Sequence, residues 1–141
     1  MLIKTYYLKR LCLTGHLDVS VIQTVKGVKM ANQDLMSMRH IDGHVVKEDD
    51  RYLVRDNTEL NNLVVSSTDL KPGKATSGHK HEGQEEVYMF IEGGGHMWLD
   101  DKKFQIHAGQ LVLIEDGVFH KVEAGDEGAY FVCVFDGNRK H

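Results

Sequence analysis

Residues 73–93 read GKATSGHKHEGQEEVYMFIEG, and this stretch carries the most informative pattern of the chain. His79 and His81 stand one residue apart, and an acidic pair follows them. Because successive side chains of a strand point to opposite faces, these two histidines would share a face and could bind one ion without distorting the backbone. With a carboxylate and a third imidazole, from His120, the ligands would suit Mn, Fe, Co, Ni or Zn rather than Ca or Mg.

Glycines recur at fixed distances from these residues in two separate stretches. The spaced residues are Gly73, His79, His81, Glu86 and Gly93 in the first stretch, and Gly109, Gly117 and His120 in the second. Together the two stretches resemble the paired motifs of the cupin superfamily, in the spacing of its small single-domain (cupin type-2) members. The resemblance covers roughly residues 62–135. It implies a metal site formed by His79, His81, Glu86 and His120.

The second stretch departs from the family pattern at two positions. Glu115 stands where the family usually has proline, and Ala124 stands where it usually has asparagine. Neither position is a proposed ligand. Because proline restricts the backbone, its replacement predicts a looser loop before His120.

The distribution of apolar residues independently indicates a small antiparallel β-barrel, because short β-forming runs alternate with turn signals. Among the predicted turns are Gly93–Gly95 and Ala124–Asp126. Together with the resemblance, this predicts an all-β fold, a cupin-type double-stranded β-helix or jelly-roll barrel, whose closure removes sheet edges. The predicted strands are Val45–Lys47, Tyr52–Arg55, Leu63–Val65, Val87–Ile91, Met97–Leu99, Phe104–Ile106, Leu111–Ile114, Val118–Val122 and Tyr130–Phe135.

Length and composition are consistent with one folded domain in a chain of 141 residues, of which 41% are hydrophobic. We expect an N-terminal extension over residues 1–43, used as extra strands or as a dimer arm, and a single cupin barrel over residues 44–141. The translation start could also be Met30, Met36 or Met38. A homodimer is the expected assembly, since closed two-fold dimers are the commonest oligomers.

Charge and cysteine content narrow the choice of partners and compartment. The formal net charge of −4 gives no broad cationic surface, so we expect neither a nucleic-acid nor a membrane partner. Cys12 and Cys133 lie far apart and form no CxxC unit, which favours a reducing, cytoplasmic location. We expect Cys133 to be a buried, inert thiol.

Strand alternation predicts which side chains face the interior. Glu86 is the expected ligand rather than Glu85, and it would share its face with Tyr88 and Phe90 unless a bulge swaps the two faces. The interior would be mainly apolar and aromatic, with Val118 and Val122 on the same face as His120. On the last strand, the inward set is either Phe131, Cys133 and Phe135 or Tyr130, Val132 and Val134.

The resemblance implies a metal-dependent enzyme acting on a small oxygen-rich substrate, like the sugar or sugar-phosphate isomerase cupins. Two alternatives stay open: an iron-dependent cupin dioxygenase, and a non-catalytic cupin that binds or regulates through a small ligand or metal. Tyr88 is the candidate catalytic residue, and His96 and His107 are weaker candidates for a general base. Lys71, Lys74 and Lys80 are candidate phosphate-binding residues, although a solvated loop charge is the more common role of lysine.

Overall fold

The structure is a computed structural model that describes residues 36–137. Every regular element in this range is a β-strand, and none of it is a helix that could cross a membrane. Most of the predicted N-terminal extension, including Cys12 and Met30, lies outside the described residues. The strands are β1 (His44–Glu48), β2 (Tyr52–Asn57), β3 (Leu63–Leu70), β4 (Glu86–Leu99), β5 (Lys102–His107), β6 (Leu111–Ile114) and β7 (His120–Asp136).

The two long strands, β4 and β7, organise the fold. They pair antiparallel with each other along three stretches, which two register shifts separate. The first half of β4 also pairs with β6 and its second half with β5, while the second half of β7 pairs with β3. On its other edge β3 pairs with β2, and β2 pairs with β1. Because β4 takes part in three ladders and β7 in two, the strands wrap around one core as a jelly-roll barrel, which confirms the predicted all-β class.

Two of the predicted turns are bends inside strands. Gly93–Gly95 lies within β4 and Ala124–Asp126 within β7, so each pair of short strands predicted around these glycines is one long strand. Gly93 has a φ of +68°, and a Cβ at this position would lie 2.1 Å from the carbonyl oxygen of Gly128. The glycines therefore allow β-bulges and a close backbone approach, not a chain reversal.

Aromatic rings fill the interior between β4 and β7. Phe90 and Phe131 are each 1% exposed, and their ring centroids lie 5.3 Å apart. Tyr88 stacks on Phe131 at 5.1 Å. The inward positions of the last strand are Phe131, Cys133 and Phe135, which decides between the two sets left open by the sequence.

Candidate metal centre

The structure brings His79, His81, Glu86 and His120 together. Their potential ligand atoms all lie within 4.8 Å of one another. Glu86 and His120 are buried, at 3% and 2% exposure, whereas His79 is exposed and His81 is half-buried. Two members of the cluster are thus shielded from solvent and the other two are accessible to it, so a small molecule can reach the cluster.

A cross-strand pair places His79 beside His120. The backbone nitrogen of each residue donates to the carbonyl oxygen of the other, at 3.0 and 2.8 Å. The two Nε2 atoms are 3.0 Å apart. Nδ1 of His120 lies 3.1 Å from the carbonyl oxygen of Val118, so a proton on Nδ1 would leave Nε2 directed into the cluster with its lone pair available.

The turn before His120 holds the segment that carries His81. The backbone nitrogen of Gly117 donates to the carbonyl oxygen of His81 at 2.9 Å. Oδ1 of Asp116 accepts from the backbone nitrogens of Gly83 and Gln84, at 2.6 and 3.3 Å. These three bonds attach the turn to the rest of the site even though the usual proline is absent.

Of the two adjacent glutamates, Glu86 belongs to the cluster and Glu85 is exposed. The register shifts of β4 begin only after Phe90, so the alternation from Glu86 to Phe90 is regular. The faces are therefore not swapped, and the carboxylate of Glu86 lies inside. Its Oε1 is 3.0 Å from Nε2 of His81, and its Oε2 is 3.6 Å from Nε2 of His120.

The donor set and its spacing fit a divalent transition metal. Ligand atoms bound at ~2.1 Å and side by side on one ion lie about 3 Å apart. The 3.0, 3.0 and 3.6 Å separations between neighbouring donors of the cluster match this value. Three imidazoles and one carboxylate are suitable ligands for Mn, Fe, Co, Ni and Zn alike.

A cavity of about 510 Å³ opens beside the cluster, with His79, Glu86 and Tyr88 in its wall. It is more polar than the sequence predicted. The polar side chains that sequence reasoning missed are Lys47, Asp56, Ser66, Thr68, Thr76 and Ser77.

Ser66 and Thr68 were missed because the predicted strand ended at Val65, whereas β3 continues to Leu70. Thr68 is β-branched, and Ser66 and Thr68 follow Val64 at two-residue intervals up to Leu70, which is a weak signal that could have extended the strand.

A group of charged and hydroxyl side chains surrounds Tyr52 at the edge of the cavity. Nζ of Lys47 and Cζ of Arg51 lie 4.9 and 4.8 Å from the centre of the Tyr52 ring. The Tyr52 hydroxyl lies 3.4 Å from Oγ of Ser77. Burial by itself would raise the pKa of Tyr52, but hydrogen bonds with Lys47 and Ser77 and the two nearby cations outweigh it and lower that pKa.

Arg51 is already paired with the carboxylate of Asp49. Its Nη2 and Nε lie 2.6 and 3.2 Å from Oδ2 of Asp49. This side-chain bond, with the backbone nitrogen of Arg51 bonded to the same carboxylate, lowers the pKa of Asp49 from 3.8 to about 2. It also raises the pKa of Arg51.

Other residues proposed from the sequence lie away from the cavity. His96 and His107 belong neither to the cluster nor to the cavity wall, so neither is in place to act as a base at the cluster. Lys71, Lys74 and Lys80 are also exposed, and none of them lines the cavity. Tyr88, by contrast, lies in the cavity wall with its ring edge-on to His120 at a centroid distance of 5.6 Å.

The chain matches the model of a known protein family. This family model, described as Cupin domain, matches residues 66–135. The chain carries a cupin domain. The matched range starts within β3 and ends within β7, so it includes all four residues of the cluster.

Known proteins similar to this cupin include several whose names refer to oxalate. The oxalate-binding protein of Thermotoga maritima is 33% identical over 66 residues, which cover 46% of this chain and 54% of the relative. A mutant oxalate decarboxylase of Bacillus subtilis superposes with a TM-score of 0.63 at 28% identity, covering 75% of this chain and 30% of that one.

KdgF from a Halomonas species has a TM-score of 0.62 at 13% identity and covers 74% of this chain and 93% of its own. This last likeness concerns the fold alone. The chain spans 41% and 54% of the lengths of the curated relatives that it matches.

Proposed function

We propose that this cupin holds a divalent transition metal on His79, His81, Glu86 and His120 and uses it to bind a small acid with adjacent oxygen donors. The observation that carries the proposal is the convergence of four donors on a cavity large enough for a small molecule. The oxalate-binding and oxalate-decarboxylating proteins that it resembles support this ligand class.

A bound metal would supply Lewis-acid polarisation of a substrate oxygen and, if it is iron, redox chemistry. The protein's own contribution is to present the donors, to orient the ligand and to limit its contact with water. Glu86 and His120 are the buried members of the cluster, and His79 is its exposed member; His79 and Glu86 both line the cavity in which a ligand would bind.

We further propose that the protein is an enzyme and that Tyr88 is its catalytic residue. Its phenol group lies in the same cavity as the cluster, on the strand face that begins with Glu86. An isomerisation requires a proton to leave one carbon and return to another, and a hydroxyl in this position could donate or accept it. An isomerase-like reaction on a hydroxylated acid is therefore our leading proposal, and iron-dependent oxygenation is the alternative if the native metal is iron.

A non-catalytic binding protein is the second candidate. The name of the Thermotoga maritima relative, an oxalate-binding protein, is the specific observation that favours it. The two candidates differ in what Tyr88 does. In an enzyme, Tyr88→Phe would abolish turnover with little change in affinity, whereas in a binding protein there would be no turnover to lose.

The test combines metal analysis with calorimetry on protein purified without a metal-binding tag. We expect close to one equivalent of metal per chain and binding of oxalate that requires this metal. Turnover assays with hydroxylated acids, with and without oxygen, would then separate isomerisation, oxygenation and simple binding. Absence of metal after reconstitution, or oxalate binding that is equal with and without metal, would refute the proposal.

A further inference from the structure

The cavity is larger than a chelating two-carbon acid requires. Its volume of about 510 Å³ lies within the range of about 300–1,000 Å³ usual for drug-sized ligands. The metal cluster occupies only one part of its wall, which also includes Lys47 and Tyr52 from β1 and β2. A ligand that fills the cavity would therefore have a second part, away from the metal, whose chemistry the remaining wall can indicate.

The wall around Tyr52 contains a cation that is available to a ligand. Arg51 is paired with Asp49, but no ion pair joins Lys47 to any carboxylate among residues 36–137. Its ammonium group lies 4.9 Å from the centre of the Tyr52 ring, and the Tyr52 hydroxyl lies 3.4 Å from Oγ of Ser77. An ammonium group beside a tyrosine whose hydroxyl neighbours a serine hydroxyl is suited to a carboxylate or phosphate group.

The wall between these two places offers hydroxyl and carboxylate groups. Asp56 on β2 pairs with Ser66 on β3, which in turn pairs with Cys133, and Cys133 pairs with Tyr88. All four side chains line the cavity in one row across the sheet. Oδ1 of Asp56 is buried and accepts no hydrogen bond from residues 36–137. A carboxylate oxygen in this position can accept a hydrogen bond from a hydroxyl group of a ligand.

We propose that Lys47, Tyr52 and Ser77 form a second anion-binding position, and that the ligand is a hydroxylated acid with a negative group at each end. One end would bind at the metal and the other at Lys47, with hydroxyl groups between them facing Asp56 and Ser66. This inference rests on the proposed function, because it assumes that the first end binds at the metal. The group of the ligand that binds at Lys47, at the end distal to the metal, would be an anion, either a carboxylate or a phosphate.

The test uses probes that differ only at the distal end. Gluconate, glucarate and 6-phosphogluconate share a six-carbon hydroxylated chain and an α-hydroxy carboxylate, and their other ends are neutral, carboxylate and phosphate respectively. Calorimetry on the Mn-loaded protein would compare them with oxalate. A charge-assisted hydrogen bond predicts that glucarate or 6-phosphogluconate binds about tenfold more tightly than gluconate, and the better of the two identifies the anion.

The decisive variant is Lys47→Met, which keeps the unbranched apolar stem of the side chain as far as Cε and removes the charged ammonium group. It should reduce the affinity for the preferred one of glucarate and 6-phosphogluconate to the level of gluconate, and it should leave the affinities for gluconate and oxalate unchanged. Lys103→Met is the matched control, because Lys103 lies on β5 over the Trp98 ring and does not line the cavity. This variant removes the same charge and should preserve the tenfold preference.

Two results would overturn the inference while the proposed function stands. One is equal binding of all three sugar acids by a wild-type protein that binds oxalate, and the other is an unchanged preference in Lys47→Met. If the loaded wild-type protein binds neither oxalate nor gluconate, the proposed function fails and this inference fails with it. Should Lys47→Met be poorly folded by circular dichroism, Lys47→Gln provides the same test.

Discussion

The cavity has two walls, and they differ in how closely sequence spacing constrains them. The motif wall, residues 73–93 and 109–124, carries the histidines, Glu86 and the glycines, all at fixed intervals. The entrance wall, β1 to β3, carries Lys47, Asp56, Ser66 and Thr68, which match no motif. A metal centre demands several donors within a few tenths of an ångström. A cavity wall that contacts an organic ligand can be built from many different side chains. We therefore assign metal binding to the motif wall and ligand specificity to the entrance wall.

The largest expected effect comes from removing ligands from the motif wall. His79→Ala and His120→Ala should each weaken metal binding by more than about 100-fold, since even changes in the residues around a metal's ligands cost 10–100-fold. Bound metal after dialysis, with a competing chelator to give the affinity, measures the loss. Lys47→Met in the entrance wall should retain full metal content, and metal loss in that variant would remove the distinction between the walls.

The adjacent glutamates give a sharper version of the same test. Glu86→Gln should lose the metal, because its oxygens lie 3.0 and 3.6 Å from two of the histidine nitrogens. Glu85→Gln makes the same chemical change one residue away on an exposed side chain, and it should bind metal like the wild type. Equal loss in both variants would contradict the regular alternation of β4 at this point.

The next effect concerns the aromatic core that joins the walls. Phe131→Ala should lower the free energy of unfolding by about 3–5 kcal/mol, because it leaves a cavity beside Phe90 and Tyr88. Urea denaturation of the metal-free protein measures it without a contribution from the metal. Leu113→Ala is the control, since Leu113 is 66% exposed and its truncation should change stability by less than about 0.5 kcal/mol. A small effect at Phe131 would show that the walls pack independently.

A pair of glycines in the motif wall tests whether their spacing reflects backbone geometry. Gly93→Ala should destabilise the protein by more than about 2 kcal/mol, because the new Cβ would lie 2.1 Å from a backbone oxygen at a φ of +68°. Gly109 also has a positive φ, of +88°, but a Cβ there meets nothing within 4 Å, so Gly109→Ala should cost only about 1–2 kcal/mol. Thermal unfolding of the two variants would give the order, and a reversed order would contradict the close approach of β4 to β7.

The smallest effect is a pH dependence at the entrance wall. The pKa of Asp49 falls from 3.8 to about 2 on folding, so its ionised form stabilises the folded state above pH 3.8, and this contribution disappears as the pH falls toward 2. The wild type should therefore be slightly more stable than Asp49→Asn at pH 5, and the difference should shrink at pH 2. Urea midpoints of the metal-free proteins measure it. A constant difference over this range would mean that the bond to Arg51 does not contribute through ionisation.

Much of the fold and of the metal centre could be predicted from local sequence. Alternation along a strand has a period of two residues, so it placed Glu86, Tyr88 and Phe90 on one inward face, as the structure confirms. The β-forming runs identified the all-β class. Prediction failed at Gly93–Gly95 and Ala124–Asp126, because glycine permits both a turn and a bulge, and only the pairing of β4 with β7 decides between them.

The sequence by itself determined the cupin motifs, the types of the four metal-site residues and their inward alternation, since each depends on spacing along a short segment. Only the tertiary structure decided that Phe131, Cys133 and Phe135 face inward and that Asp56 and Ser66 stand in a row with Tyr88. It also decided that His96 and His107 are exposed. The reason is that these positions depend on the register between strands distant in the chain, and a shift of one residue would turn every side chain to the other face.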